Sequence, residues 1–68
     1  MQRKVTKFTN RPFDHTGTER MNFDMNVGDT FIELDAGELQ PPEEGMVFGV
    51  AWGNLMWMPE ANLSARKS

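Results

Sequence analysis

His15 is the only imidazole in the chain and there is no cysteine, so nucleophilic or metal chemistry has few groups to draw on. A hydroxyl relay needs a nucleophile, a base and an orienting acid in mutual contact. Asp14-His15-Thr16-Gly17-Thr18 holds an acid, a base and hydroxyls close in sequence, yet no nucleophile motif surrounds Thr16, Thr18, Ser64 or Ser68. The stretch is polar and predicts an exposed loop, so catalysis is not indicated. With one histidine and no thiolate, a tetrahedral zinc site is not expected. Glu33-x-Asp35 and Glu43-Glu44 are the paired carboxylates. A calcium loop needs several oxygen ligands at fixed spacing around a turn glycine, and Asp35-Ala36-Gly37-Glu38 supplies too few. These acids are expected to be solvated loop groups, with no metal and no cofactor.

The sharper signal lies in Met46 to Met58, which holds Met46, Met56, Met58, Trp52 and Trp57. Methionine adapts to irregular partner surfaces, and tryptophan is enriched at interface hot spots. A chain of 68 residues has room to bury about one indole fully, so at least one tryptophan is expected to be partly exposed. Charge is distributed unevenly. Residues 1–20 carry Arg3, Lys4, Lys7, Arg11 and Arg20 against Asp14 and Glu19, a balance of +3. Residues 21–65 carry Asp24, Asp29, Glu33, Asp35, Glu38, Glu43, Glu44 and Glu60 with no Lys or Arg, a balance of −8. Arg66 and Lys67 bring the whole chain to −3. An acidic middle repels nucleic acid and attracts a basic partner. Only the basic N-terminal stretch could neutralise phosphates, so nucleic acid is disfavoured as a ligand.

These residues must be positioned by short strands. Gly and Pro interrupt the chain often, and no window shows a helical apolar stripe. Lys4 to Phe8 predicts a first strand. Phe23, Met25 and Val27 alternate with Asp24 and Asn26, the period of a half-buried strand, before Gly28-Asp29 breaks it. Thr30 to Leu34 is the next strand, and Asp35 to Gly45, with Pro41-Pro42, is a loop. Met46 to Trp52 and Leu55 to Met58 read as a hairpin turning at Gly53-Asn54. That turn places Trp52 opposite Leu55, Val50 opposite Trp57, and Phe48 near Pro59 on one face. Val47, Gly49, Ala51, Met56 and Met58 occupy the other. Both faces are apolar, so one of them is wrapped by the rest of the chain or offered to a partner. Pro59 to Asn62 predicts a 3₁₀ turn, and Leu63 to Ala65 a last short strand. The chain is expected to be one domain over 1–68 with frayed ends near 1–3 and 66–68. The longest uncharged run, Gly45 to Pro59, is too short and too broken to span a bilayer, and the N-terminal sequence shows no secretory signal. A cytoplasmic protein without membrane contact is expected.

This order of elements resembles the SH3-like barrel. Phe23-Asp24-Met25-Asn26-Val27-Gly28-Asp29 looks like that family's segment ending in a diverging turn. Thr9 to Asn22 and Asp35 to Gly45 would be its two long loops. Trp57-Met58-Pro59-Glu60-Ala61-Asn62-Leu63 is similar to its aromatic-apolar-Pro-x-x-x-aliphatic ending. The resemblance implies an all-β fold: a single small barrel of about five short antiparallel strands with one 3₁₀ turn. It also implies Trp57 and Pro59 as groove residues, with Asp14 and Glu19 in the first loop and Glu38, Glu43 and Glu44 in the second facing a basic ligand. The chain departs from the family in lacking every tyrosine of the polyproline groove, the last of which would fall at Asn62. In the strand after Gly28, Glu33 falls where an apolar residue is wanted, and a bulge or a one-residue shift would restore Ile32 and Leu34 to the core. The plasmid-type dihydrofolate reductases share this fold, but the glutamine and tyrosine of their active-site strand are absent from Leu55-Met56-Trp57-Met58-Pro59.

The expected function is therefore a non-catalytic protein-binding module whose contact surface joins Trp52, Trp57 or both, with Pro59, to neighbouring acidic loop residues. A small inhibitor or adaptor acting on a basic or nucleic-acid-handling protein, of the kind small phage genes encode, fits that description. The alternatives are a structural subunit that self-associates through the apolar hairpin 46–58, and a nucleic-acid binder using the basic N-terminus.

Overall fold

The protein, described here over residues 1–66 from a computed structural model, is a five-stranded antiparallel sheet followed by one 3₁₀ turn. The strands are β1 (Gln2–Lys4), β2 (Phe13–Asp14), β3 (Thr30–Glu33), β4 (Met46–Ala51) and β5 (Asn54–Pro59), and the 3₁₀ turn is Glu60–Asn62. Their order across the sheet is β1-β3-β4-β5-β2. The far edge of β1 is covered by the segment after the 3₁₀ turn: Val5 bridges Leu63, and Ser64 N donates to Lys4 O at 2.8 Å.

The number of strands agrees with the sequence reading, but their membership does not. Phe23 to Val27 is not a strand. Only Met25 is buried, bridged to Thr9, while Val27 is 66% exposed. The cause is local: Asn26 N donates to Asp29 Oδ2 and Gly28 takes a φ of 98°, so the chain turns before a ladder can form. Leu63 to Ala65 contributes a single bridge rather than a strand. The fifth strand, β2, lies inside the stretch read as a loop. The first strand runs over Gln2–Lys4 rather than Lys4 to Phe8, so the fraying expected at 1–3 gives way to pairing with β3. At the other end, the fraying expected at 66–68 falls outside the described residues beyond Arg66.

Alternation puts Arg3, Val5, Phe31, Glu33, Gly49, Ala51, Met56 and Met58 on the inner face of the sheet. Val5, Met25, Phe31, Ala51, Met56, Met58 and Leu63 form the core cluster. Each fully buried apolar side chain of this size contributes about 1.5–3 kcal/mol. Phe31, and not Ile32 or Leu34, is the core residue of β3, so no bulge is needed. Glu33 points inward with Phe31 because Arg3, itself only 2% exposed, faces it from β1. Arg3 donates through Nη1 to Glu33 Oε1 at 2.9 Å, through Nε to Ser64 O at 2.8 Å, and through Nη2 to Glu60. Arg66 closes the cluster by donating to both carboxylate oxygens of Glu33.

The hairpin turns one residue earlier than expected, at Trp52-Gly53, pairing Val50 with Leu55 and Phe48 with Trp57. The directly opposed aromatic pair, with ring centroids 5.1 Å apart, sets this register rather than the Gly53-Asn54 dipeptide. Because the offset between strands changes by two residues, both faces keep their expected members and only Trp52 leaves the ladder.

Candidate functional site

The outer face of the β4–β5 hairpin is covered at one end only. There Phe48 and Trp57 are buried under two loops. Trp57 Nε1 donates to His15 O at 3.0 Å, which pins the loop between Asp14 and Arg20 across the sheet. That loop is knotted on Asp14, whose Oδ1 accepts from Thr16 Oγ1 at 2.6 Å and from Gly17 N at 3.0 Å. The hydrogen bond from Thr16, with the backbone amides, holds the Asp14 carboxyl below its ordinary value. At its base, the Arg20 guanidinium lies 3.9 Å from the centre of the Phe13 ring.

The second loop, Asp35 to Gly45, leaves a groove of about 300 Å³ beside this aromatic pair. Phe48 and Trp57 form its floor; Leu34, Leu39, Pro41, Met46 and Val47 form its walls; Glu33 and Asp35 stand at one side. Leu34 N donates to Phe48 O at 2.9 Å, extending the β3–β4 pairing and fixing one wall. Leu39 is held over the other wall by a turn in which its N–H donates to Ala36 O at 3.0 Å. Leu34 and Leu39 are 40% and 46% exposed, so the mouth is apolar and open to solvent. Glu38, Glu43 and Glu44 are exposed on the same loop. Among the described residues, ion pairs involve only Arg3, Glu33, Glu60 and Arg66, so the loop carboxylates have no cationic partner.

The expected contact residues are therefore divided. Glu38, Glu43 and Glu44 share the loop that shapes the groove. Pro59 is half-buried opposite Met46, next to one wall. Glu19 is exposed on the first loop, and Asp14 commits its Oδ1 to hydrogen bonds within that same loop. Trp57 requires a correction. Its side chain is 2% exposed and its indole N–H is already bonded, so it is the floor of the groove and not an anchor presented to a ligand. Trp52 is 71% exposed at the opposite end of the hairpin and does not join it. Sequence reasoning missed Leu34 and Leu39, whose signal was two isolated leucines inside an acidic run. It also missed the Arg3–Glu33–Glu60–Arg66 cluster, whose members are separated by up to the length of the chain.

Among the described residues, no group of three or more His, Cys, Asp or Glu is placed to hold a metal ion, and no helix is long and apolar enough to cross a membrane. Comparison with known proteins finds no matching family model, no matching curated protein and no matching solved structure.

Proposed function

We propose that this chain is a non-catalytic protein-binding module, built as an SH3-like barrel, that takes a basic segment of a partner protein into the groove beside Phe48 and Trp57. The observation that carries this reading is an open apolar groove flanked by a loop of carboxylates that form no ion pair among the described residues. Support for the barrel comes from the β1-β3-β4-β5 order, the Val5–Leu63 bridge and the 3₁₀ turn after Pro59. An apolar residue of the partner fills the space between Leu34 and Leu39, and lysines or arginines beside it face Asp35, Glu38, Glu43 and Glu44. Apolar burial supplies affinity at about 25 cal/mol per Å². The carboxylates steer the approach and fix orientation. Nucleic-acid-handling proteins display basic surfaces of this kind, and a module this small seated on one acts as an inhibitor or adaptor.

Calorimetric titration with a peptide alternating arginine and leucine tests the reading. Leu39→Ser and the double change Glu43→Gln, Glu44→Gln are each expected to weaken binding by about tenfold, roughly 1.4 kcal/mol, without changing the fold. Equal affinity for a peptide with glutamate in place of arginine would rule the reading out.

A further inference from the structure

We infer that Arg11 and Arg20 form a clamp for a carboxylate of the partner protein, a few residues along from the segment that fills the groove. The inference takes its partner from the groove reading and its geometry from a separate set of side chains. Phe48 pairs with Trp57, Trp57 with Phe13, and Phe13 with Arg20. Directly paired residues point to the same face, so these four side chains make one row across the outer face of the sheet. The row starts at the groove floor and ends at a cation. Three strand spacings separate its ends, about 14 Å, which four or five extended residues span. The first loop covers Trp57 within the row, so a bound segment crosses over that loop.

Both guanidiniums are held in place with donors to spare. Arg20 stacks on the Phe13 ring, 3.9 Å from its centre, and donates through Nη1 to Arg11 O at 3.2 Å. Arg11 reaches back across the same gap and donates through Nε to Met21 O at 2.8 Å. Each side chain thus spends one donor on a neutral main-chain carbonyl. Both are exposed, and among the described residues neither joins an ion pair. The neighbouring acids do not close on them: Asp24 Oδ1 takes the Arg11 main-chain N–H at 3.0 Å, and Glu19 is exposed without an ion pair. Two like charges tethered side by side repel, and an anion between them relieves that repulsion. A guanidinium fork that is already fixed loses little freedom when a carboxylate binds it.

Charge on the rest of the face identifies the anion as a protein carboxylate. Glu38, Glu43 and Glu44 are exposed on the loop beside the groove, at the other end of the row. A nucleic-acid strand laid along the row gains at Arg20 and is repelled at that loop. A protein segment whose lysines or arginines face the loop, and whose aspartate or glutamate faces the clamp, meets the opposite charge at both ends. The clamp therefore selects among basic segments: one that is uniformly basic places a cation against Arg11 and Arg20 and is disfavoured.

Calorimetric titration of the full chain at about 50 mM salt tests this. The arginine–leucine peptide is extended at either end by a Gly-Ser spacer of about four to six residues and then by Glu-Glu or Gln-Gln. At one of the two ends the Glu-Glu form is expected to bind about fivefold tighter than the Gln-Gln form. Arg11→Gln and Arg20→Gln should each remove most of that advantage with no loss of affinity for the Gln-Gln form, which shows the fold intact. Equal affinity for the two forms at both ends, or an advantage that survives both substitutions, would overturn the clamp. A second measurement is independent of the groove: NMR of the arginine Nε–H groups during titration with a short Glu-Glu peptide alone. Saturable shifts at Arg11 and Arg20 are expected, and their absence also overturns the clamp. Those shifts without binding of the parent arginine–leucine peptide would sink the groove reading and leave the clamp standing. Oligothymidylate that shifts the same resonances at lower concentration than the Glu-Glu peptide would overturn the choice of a protein carboxylate.

Discussion

Arg3 is the side chain on which the closed end of the sheet depends. It is buried, each of its three guanidinium nitrogens donates a hydrogen bond, and among the described residues no buried side-chain polar atom lacks a partner. Without Arg3, Glu33 keeps Arg66 and Glu60 stands partly in solvent, so the loss is that of the hydrogen bonds and packing removed, about 2 kcal/mol, and not that of an uncompensated buried charge. That is a large share of the ~3–5 kcal/mol that a core of this size supplies, so Arg3→Ala is expected to melt well below the parent by circular dichroism. The same cluster sets the acid response. Hydrogen bonds from Arg66, and then Arg3, hold Glu33 below the ordinary glutamate value, and Arg3 does the same for Glu60. Arg3 is held above its own ordinary value, chiefly by Glu60, and stays charged throughout. The carboxylate contribution is therefore present in full above about pH 4.3 and is lost progressively below it. Melting temperature should fall as pH drops from about 5 to about 3, and the fall should be shallower in Glu33→Gln, which has no proton to gain there.

At the level of the element, the β4–β5 hairpin is constrained from both sides. Gly49 is buried in extended backbone, and a Cβ there would collide with the Ile32 carbonyl oxygen and the Phe31 ring. Gly49→Ala is thus expected to destabilise the fold by about 3 kcal/mol, read from chemical denaturation, because backbone and a core aromatic must both move. On the outer side, Trp57 holds the first loop through one hydrogen bond. Trp57→Phe should cost about 1 kcal/mol from that bond and accelerate amide exchange over residues 14–19. The hairpin was legible because Phe48, Val50, Met56 and Trp57 are concentrated around one glycine. β2 was not legible, because two residues, Phe13-Asp14, carry no periodicity. They are a strand only because β5 offers its edge there.

Across the whole molecule, charge is the long-range property that matters. With no Lys or Arg between residues 21 and 65, binding of a basic peptide should weaken as salt rises. Calorimetric titration between about 50 and 500 mM salt checks this, and an affinity that does not move with salt would count against the role of the loop carboxylates. The sequence by itself determined the all-β character, the single hairpin with two apolar faces, the 3₁₀ turn after Pro59 and the acidic loop. These depend on local propensity, alternation and composition, which act over a few residues. Only the tertiary structure decided which indole is sealed and which is open, that Glu33 belongs inside, and that Leu34 and Leu39 frame a groove. Those outcomes depend on neighbours brought together from distant parts of the chain: His15 over Trp57, Arg3 against Glu33, and a turn whose position is set by the pairing of Phe48 with Trp57.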